Sequence, residues 1–131
     1  MSFVKRFLRE NFPENKFFEN ETIHMHFPEG ASKKDGPSAG IAIASALMSM
    51  ALNKPYNIKF AMTGEISLNG KVLKIGGLKE KSLAAKREGI KKIICPKDNE
   101  GDYKEMKSFI TEDLEFHFVK DYQEVYDLLF K

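Results

Sequence analysis

The apolar positions at the start of the chain predict an amphipathic helix followed by an irregular segment. Four apolar residues recur at the spacing of one helix face: Phe3, Val4, Phe7 and Leu8. The same stretch is basic, which superficially suggests a transit peptide, but a surface helix of the domain explains it as well. Residues 12–20 contain a proline and two asparagines and are predicted to be turn-like.

The next segments predict a half-buried strand, a loop and a buried helix. Residues 22–27 alternate between apolar and polar positions, which is typical of a strand with one face in the core. Residues 28–36 contain two glycines and are predicted to be a loop. The stretch from Pro37 to about Asn53 is apolar or small on all sides, which indicates a helix buried on most sides. Pro37 suits the first position of that helix, where a missing N–H costs nothing.

The second half of the chain predicts a hairpin among alternating strands and helices. Asn69-Gly70 is a strong turn signal between a strand at 58–66 and a strand at 71–75. Further predicted elements are a helix at 78–88 ended by Gly89, a strand at 91–95 closed by Pro96, a short helix at 103–109, a strand at 115–119 and a helix from Tyr122. This order predicts a single domain of the α+β class with a mixed β-sheet and packed helices.

Composition narrows the class of protein. The 131 residues fit one compact domain, and 42% apolar with 31% charged residues is typical of a folded globular chain. The net charge of +2 indicates no nucleic-acid footprint. No apolar run approaches the roughly 18 residues of a membrane-spanning helix. Cys95 is the single cysteine, so no internal disulfide forms; its apolar run predicts a small core residue in a reducing, intracellular setting.

Ser38, at the start of the buried helix, is the first candidate for chemistry. A serine at such a position is most often a helix cap. The functional alternative is a nucleophile, because a helix start offers backbone N–H groups and a partial positive charge that suit an oxyanion. Ala39 and Gly40 leave room for a substrate backbone.

Lys81 is the second candidate, because it is the lysine on the small, apolar side of its predicted helix. A helical wheel places it between Ala84 and Ala85, whereas Lys79, Glu80, Lys86 and Arg87 are predicted to point to water. Taken alone, such a lysine covers apolar surface with its stem. A serine nucleophile needs a base, however, and a desolvated lysine can be one. No histidine–aspartate relay has a convincing signature, although His24, His26 and His117 are present.

Three motifs in fixed order resemble one peptidase family. They are DGPSAG at 35–40, AMTGEISLNG at 61–70 and GLKEK at 77–81. Together they resemble the proteolytic domain of the ATP-dependent Lon proteases, which use a Ser–Lys dyad, and the resemblance runs from about Phe3 to the C-terminus. One departure is Lys33, where many members carry proline. The resemblance implies a two-layer α/β sandwich similar to a ribosomal protein.

The resemblance also implies a role for each matching residue. Ser38 is the nucleophile, Lys81 is the general base, and Thr63 orients the lysine amine; the alternative for Thr63 is an ordinary β-branched strand residue. The residues implied to contact substrate or close the site lie in the loop around the nucleophile: Glu29, Asp35, Gly36, Pro37 and Ala39. His24 and His26 match strand positions near the cleft, although histidines on the solvent face of the strand are the simpler interpretation. A metal between them lacks a third ligand in the sequence. No cofactor or metal site is therefore predicted.

The wider context is also implied rather than derived. The sequence lacks the G-x-x-x-x-G-K-[ST] phosphate loop, so ATP and Mg are expected only in an ATPase module upstream. We expect a domain truncated at its N-terminus, a homo-hexameric parent, unfolded or damaged polypeptides as substrates, and no membrane or nucleic-acid partner. Residues 109–119 resemble mitochondrial members, which favours the mitochondrial matrix over the bacterial cytoplasm. The alternatives are a non-catalytic Lon-like assembly or binding module, and an inactive fragment of the protease.

Overall fold

The computed structural model describes residues 2–20, 39–57 and 59–131 of the chain. The predicted strand at 22–27 and the predicted loop at 28–36 lie outside these residues, as do Pro37, Ser38 and Ile58. The helices are α1 (Ser2–Asn11), α2 (Phe17–Asn20), α3 (Gly40–Leu52), α4 (Leu78–Arg87), α5 (Glu100–Glu105), α6 (Ser108–Thr111) and α7 (Tyr122–Phe130). The strands are β1 (Phe60–Met62), β2 (Glu65–Ile66), β3 (Val72–Leu73), β4 (Lys92–Pro96) and β5 (Glu115–Val119).

A parallel sheet with strand order β1-β4-β5 forms the centre of the fold. Its side chains alternate between two apolar clusters, as the period of a strand requires. Phe60 and Ile94 point into the larger cluster, whereas Ala61, Ile93 and Cys95 point into the smaller one on the opposite face. The sheet therefore separates two cores.

The larger core packs the sheet against α1, α3 and α7. The four apolar positions predicted on the first helix are buried there, which confirms the helix: Phe3, Val4, Phe7 and Leu8. Within this core Ser45 Oγ and Tyr122 Oη lie 2.9 Å apart and share a hydrogen bond. Burial of these hydroxyls is tolerated because each satisfies the other.

The smaller core packs the sheet against α4 through Ile75, Leu78 and Ala85. Cys95 is fully buried there, which confirms its prediction as a core residue. Burial raises the pKa of its thiol from 9.0 to about 12, so the group is inert at neutral pH. Within the described residues, helices therefore lie on both faces of the parallel sheet.

The predicted strand at 58–66 is wrong as a single element. Its apolar alternation continues without a break in the sequence, but β1 ends at Met62 in the parallel sheet and β2 begins at Glu65 in a separate antiparallel pair with β3. The predicted hairpin at Asn69-Gly70 is confirmed, with Gly70 at φ 83° and its backbone against the Phe3 ring. The expected combination of parallel and antiparallel pairing is present, in two sheets.

Other boundaries differ from the prediction for local reasons. The segment 12–20, predicted as a turn, contains α2, whose first N–H (Phe17) donates to Asn15 Oδ1 at 3.0 Å. The short helix predicted at 103–109 is wrong, because Met106 and Lys107 are extended and separate α5 from α6. Three other features agree with the prediction: α4 is followed by the left-handed Gly89, β5 has the predicted bounds, and α7 begins at Tyr122. Within the described ranges, every helix is too short or too polar to cross a bilayer.

Candidate active site

Helix α3 begins beside the turn that follows β1. Its first residue, Gly40, lies so close to that turn that an added Cβ would sit 2.9 Å from the Ile66 nitrogen and 3.1 Å from the Gly64 oxygen. Because both neighbours are backbone atoms, only glycine allows this approach. Ala39 lies exposed immediately before the helix, with φ −87° and ψ 4°. Ser38 lies outside the described residues, so its position at a helix start stays a prediction.

One backbone donor at this helix start is already occupied. The Ile41 N–H donates to the Gly64 carbonyl at 3.0 Å. The sequence had suggested that the N–H groups of the first turn are available to an oxyanion, and Ile41 is not available for that purpose. The bond instead ties α3 to the residue that follows Thr63.

Thr63 continues the alternation of β1 and therefore faces α4. Its N–H donates to the Ile94 carbonyl at 3.0 Å, which extends the pairing of β1 with β4 by one residue. Two residues earlier, Ala61 packs into the smaller core with Leu78 and Ala85 of α4. Residues i and i+2 of a strand share a face, so the Thr63 side chain lies on the α4 side of the sheet. Thr63 is 4% exposed.

Lys81 lies at the edge of the buried stripe of α4. That stripe consists of Leu78, Ser82 and Ala85, and Lys81 itself is half-buried. Lys79, Glu80 and Arg87 are exposed, as predicted. Lys86 departs from the prediction: it is half-buried, and its amine donates to the Phe109 carbonyl at the end of the neighbouring α6. Position on the helical wheel therefore distinguished Lys81 correctly from three of its charged neighbours.

The start of α4 depends on a left-handed glycine. Gly77 precedes the helix with φ 77° and ψ 28°, a conformation that residues with a Cβ rarely adopt. The Lys81 N–H donates to the Gly77 carbonyl at 3.0 Å, so the first turn of the helix runs from this glycine to the candidate base. The left-handed Gly77 therefore lies four residues before the candidate lysine, at the start of the turn that carries it.

The remaining predicted residues divide into two groups. Those outside the described residues are Glu29, Asp35, Gly36, Pro37 and Ser38, together with His24 and His26. His117 lies on β5 with its ring 5.3 Å from that of Phe60, on the face of the sheet opposite α4. Its Nε2 lies 2.8 Å from Glu115 Oε2. This placement separates His117 from the side where Lys81 and Thr63 lie.

Comparison with known proteins identifies the family. The whole chain, residues 1–131, matches the family model described as the Lon protease (S16) C-terminal proteolytic domain. The chain belongs to this family of proteolytic domains. This confirms the resemblance and the fold class that it implied.

Several curated relatives carry the name Lon protease homolog, mitochondrial. The relative from Aspergillus niger is 55% identical over 129 residues, which is 98% of this chain and 12% of the relative. Those from Saccharomyces cerevisiae and Bos taurus are 52% and 50% identical, over 99% and 98% of this chain. The chain spans only 12% and 13% of the length of these two relatives.

Proposed function

We propose that the chain is a serine peptidase domain in which Ser38 attacks the scissile carbonyl and Lys81 accepts its proton. The observation that carries the proposal is the placement of Lys81 and Thr63 on the same side of the parallel sheet. The backbone bond from Ile41 to Gly64 holds the start of α3, which follows Ser38 by two residues in the sequence, against the turn after Thr63. This bond supports the proposal that all three residues meet at one site.

The proposed reaction proceeds through an acyl-enzyme. Lys81, as the neutral amine, removes the proton from Ser38 Oγ while that oxygen bonds to the carbonyl carbon of the substrate. The tetrahedral intermediate collapses to a Ser38 ester, and the ammonium returns its proton to the leaving amine. Water then attacks the ester carbon while Lys81 accepts a proton from it. The bond from the carbonyl carbon to Ser38 Oγ breaks, the Lys81 ammonium returns the proton to Oγ, and the acid product leaves as the carboxylate with its own proton lost to solvent. The Thr63 hydroxyl orients the lysine amine during both halves.

The half-buried setting of Lys81 supports its role as a base. The residue lies beside the buried stripe of Leu78, Ser82 and Ala85, on the side of α4 that faces the sheet. Lys79 lies on the exposed side of the same helix and is not placed to reach a site there.

The wider proposal is that this domain works within a longer ATP-dependent Lon protease. A separate ATPase module would bind ATP and Mg, assemble as a homo-hexamer and deliver unfolded or damaged polypeptides for quality control. The short share of each relative that the chain spans supports this division of labour. The relatives are mitochondrial Lon protease homologs, which favours the mitochondrial matrix as the compartment over the bacterial cytoplasm.

The proposal is tested by trapping the nucleophile in the full-length protein. A fluorophosphonate probe should label Ser38, as located by peptide mass spectrometry, and should stop cleavage of a fluorogenic peptide. Ser38→Ala should abolish both labelling and cleavage while leaving the fold intact, since loss of a helix-cap hydroxyl costs only about 1 kcal/mol. Ser49→Ala, near the C-terminal end of α3, serves as the matched control and should retain both. Turnover by Ser38→Ala would refute the assignment of the nucleophile.

A further inference from the structure

Asn99 is a fully buried polar side chain that no sequence motif singled out. It ends the short 3₁₀ turn Lys97–Asn99 that follows β4. Its Oδ1 accepts from the Ile75 N–H at 3.1 Å, and its Nδ2 donates to the Ile75 carbonyl at 2.8 Å. The second Nδ2 hydrogen goes to Asp102 Oδ2 at 2.7 Å. The carboxamide therefore pairs with both polar groups of one residue's backbone, and Asp102 sets which way the amide faces.

The residue held in this way lies at the entrance to the helix of Lys81. Ile75 is followed by Gly76 and the left-handed Gly77, and the first turn of α4 then leads to Lys81. Among the described residues, a Cβ added at Gly76 would meet nothing within 4 Å, so there is open space on that side of the connection. Two consecutive glycines leave the backbone more conformational freedom than any other pair. The path into α4 therefore depends on how firmly Ile75 is anchored.

Ile75 is anchored by two independent contacts. Its side chain is 8% exposed and packs with Leu78 in the smaller core, which is a non-directional contact. The Asn99 carboxamide adds two directional hydrogen bonds, which fix the orientation of the peptide groups on either side of Ile75. Apolar packing alone would let this backbone rotate, whereas the paired amide would not.

We propose that Asn99 is a positioning residue for the proteolytic reaction, which sets the placement of Lys81 by clamping the backbone of Ile75. The inference rests on the proposed role of Lys81 as the base. Asn99 itself does not act on substrate. It determines where the helix of the base begins.

The test compares Asn99→Asp with a matched clamp elsewhere in the full-length protein. Asn99→Asp keeps the shape of the side chain but replaces the donor with an oxygen, which faces the Ile75 carbonyl and the Asp102 carboxylate. Asn15 provides the control. Its Nδ2 donates at 2.9 Å to the carbonyl of Ala51, near the C-terminal end of α3, and its Oδ1 accepts from the N–H of Phe17 at the start of α2. Asn15→Asp should lower the melting temperature without altering the chemistry.

The decisive readouts are kcat, KM and the pH at which kcat reaches half its maximum. A base displaced by about 1 Å can cost 10²-fold in rate, so Asn99→Asp should lower kcat by about 10- to 100-fold with KM nearly unchanged. The pH of half-maximal kcat should also move, because the amine sits in a new environment, and a purely structural defect does not move it. Asn15→Asp, assayed well below its melting temperature, should change none of the three quantities.

A second variant keeps the inference testable if Asn99→Asp does not fold. Asp102→Ala leaves both bonds to Ile75 in place and removes only the contact that orients the amide. It should give a smaller loss of kcat and a shift of the pH midpoint. The positioning role would be overturned if folded Asn99→Asp kept the kcat and pH midpoint of the unmodified protein. If Asn99→Asp does not fold, the same result in Asp102→Ala would overturn it. Activity retained in Lys81→Ala would instead refute the proposed base, which separates the two failures.

Discussion

The N–H of Ile41 donates to the carbonyl of Gly64 at 3.0 Å, which joins the first turn of α3 to the residue after Thr63. This bond holds the start of α3 against the turn that contains Thr63. Gly40 makes the bond possible, because any side chain there would collide with the backbone of Gly64 and Ile66. Stability and activity should therefore both depend on Gly40.

Replacing Gly40 with alanine should separate α3 from the turn after β1. We expect the free energy of unfolding to fall by about 1–3 kcal/mol and peptide turnover to fall at least about tenfold, because the clash is with backbone that must shift. Gly101→Ala is the matched control: it lies in α5 with open space around it and should be neutral or stabilising by up to about 1 kcal/mol. Denaturant unfolding and a fluorogenic-peptide assay measure both effects. Equal behaviour of the two variants would contradict this account of Gly40.

Thr63→Val should keep the shape of the side chain and remove its hydroxyl. If that hydroxyl orients the Lys81 amine, kcat should fall substantially while KM changes little, since substrate binding does not require it. Thr63→Ser retains the hydroxyl and should recover most of the activity. Steady-state kinetics of the three proteins decide the matter, and an unchanged kcat in Thr63→Val would return Thr63 to an ordinary strand residue.

Lys81→Arg should be as inactive as Lys81→Ala. A guanidinium stays protonated at any usable pH and cannot accept the serine proton. Lys79→Ala, on the exposed side of the same helix, should retain nearly full activity. A pH–rate profile of the four proteins tests this, and substantial turnover in Lys81→Arg would show that another group is the base.

Ser82→Ala should stabilise the domain. Ser82 is fully buried in α4, and its hydroxyl has no hydrogen-bond partner in the part of the chain that the structure describes. Removing an unsatisfied buried hydroxyl relieves a desolvation cost of about 1 kcal/mol, and alanine also favours the helix. Ser45→Ala breaks the buried bond to Tyr122 and should lower the free energy of unfolding by about 1 kcal/mol. A loss of stability in Ser82→Ala would indicate that its hydroxyl has a partner.

The buried Cys95 should make the domain less stable in mild alkali. Its pKa is 9.0 when exposed and about 12 when folded, so above pH 9 the unfolded chain ionises and the folded chain does not. Below pH 9 the thiol is neutral in both states, and its ionisation does not reduce the free energy of unfolding. As the pH rises from 9 toward 12, ionisation in the unfolded chain alone progressively lowers that free energy. Between pH 8 and 10 the cysteine should cost about 1 kcal/mol of unfolding free energy. Cys95→Ala should remove that part of the pH dependence, and an identical pH slope in both proteins would contradict the shifted pKa.

Local patterns in the sequence were enough to predict the helices and strands that are defined by the spacing and type of their own residues. Strand β5 was predicted with the observed bounds, and α1 was predicted from four apolar positions that are all buried. Gly89 ends α4 as expected because a left-handed stop is a property of the glycine itself. The helical wheel likewise separated Lys81 from Lys79, because the regular turn of a helix fixes which side each residue faces from its position in the sequence.

The tertiary structure decided what depends on residues far apart in the chain. The segment 58–66 was predicted as one strand, whereas the structure divides it into β1 and β2 at the point where the Gly64 carbonyl accepts from the Ile41 N–H. Asn99 stands in a polar stretch with no periodic signal, yet it holds a backbone group 24 residues away. Lys86, predicted to face water, meets a carbonyl of α6. Hydrogen bonds of this kind leave no periodic trace in the sequence, because their geometry exists only after the helices and strands have packed.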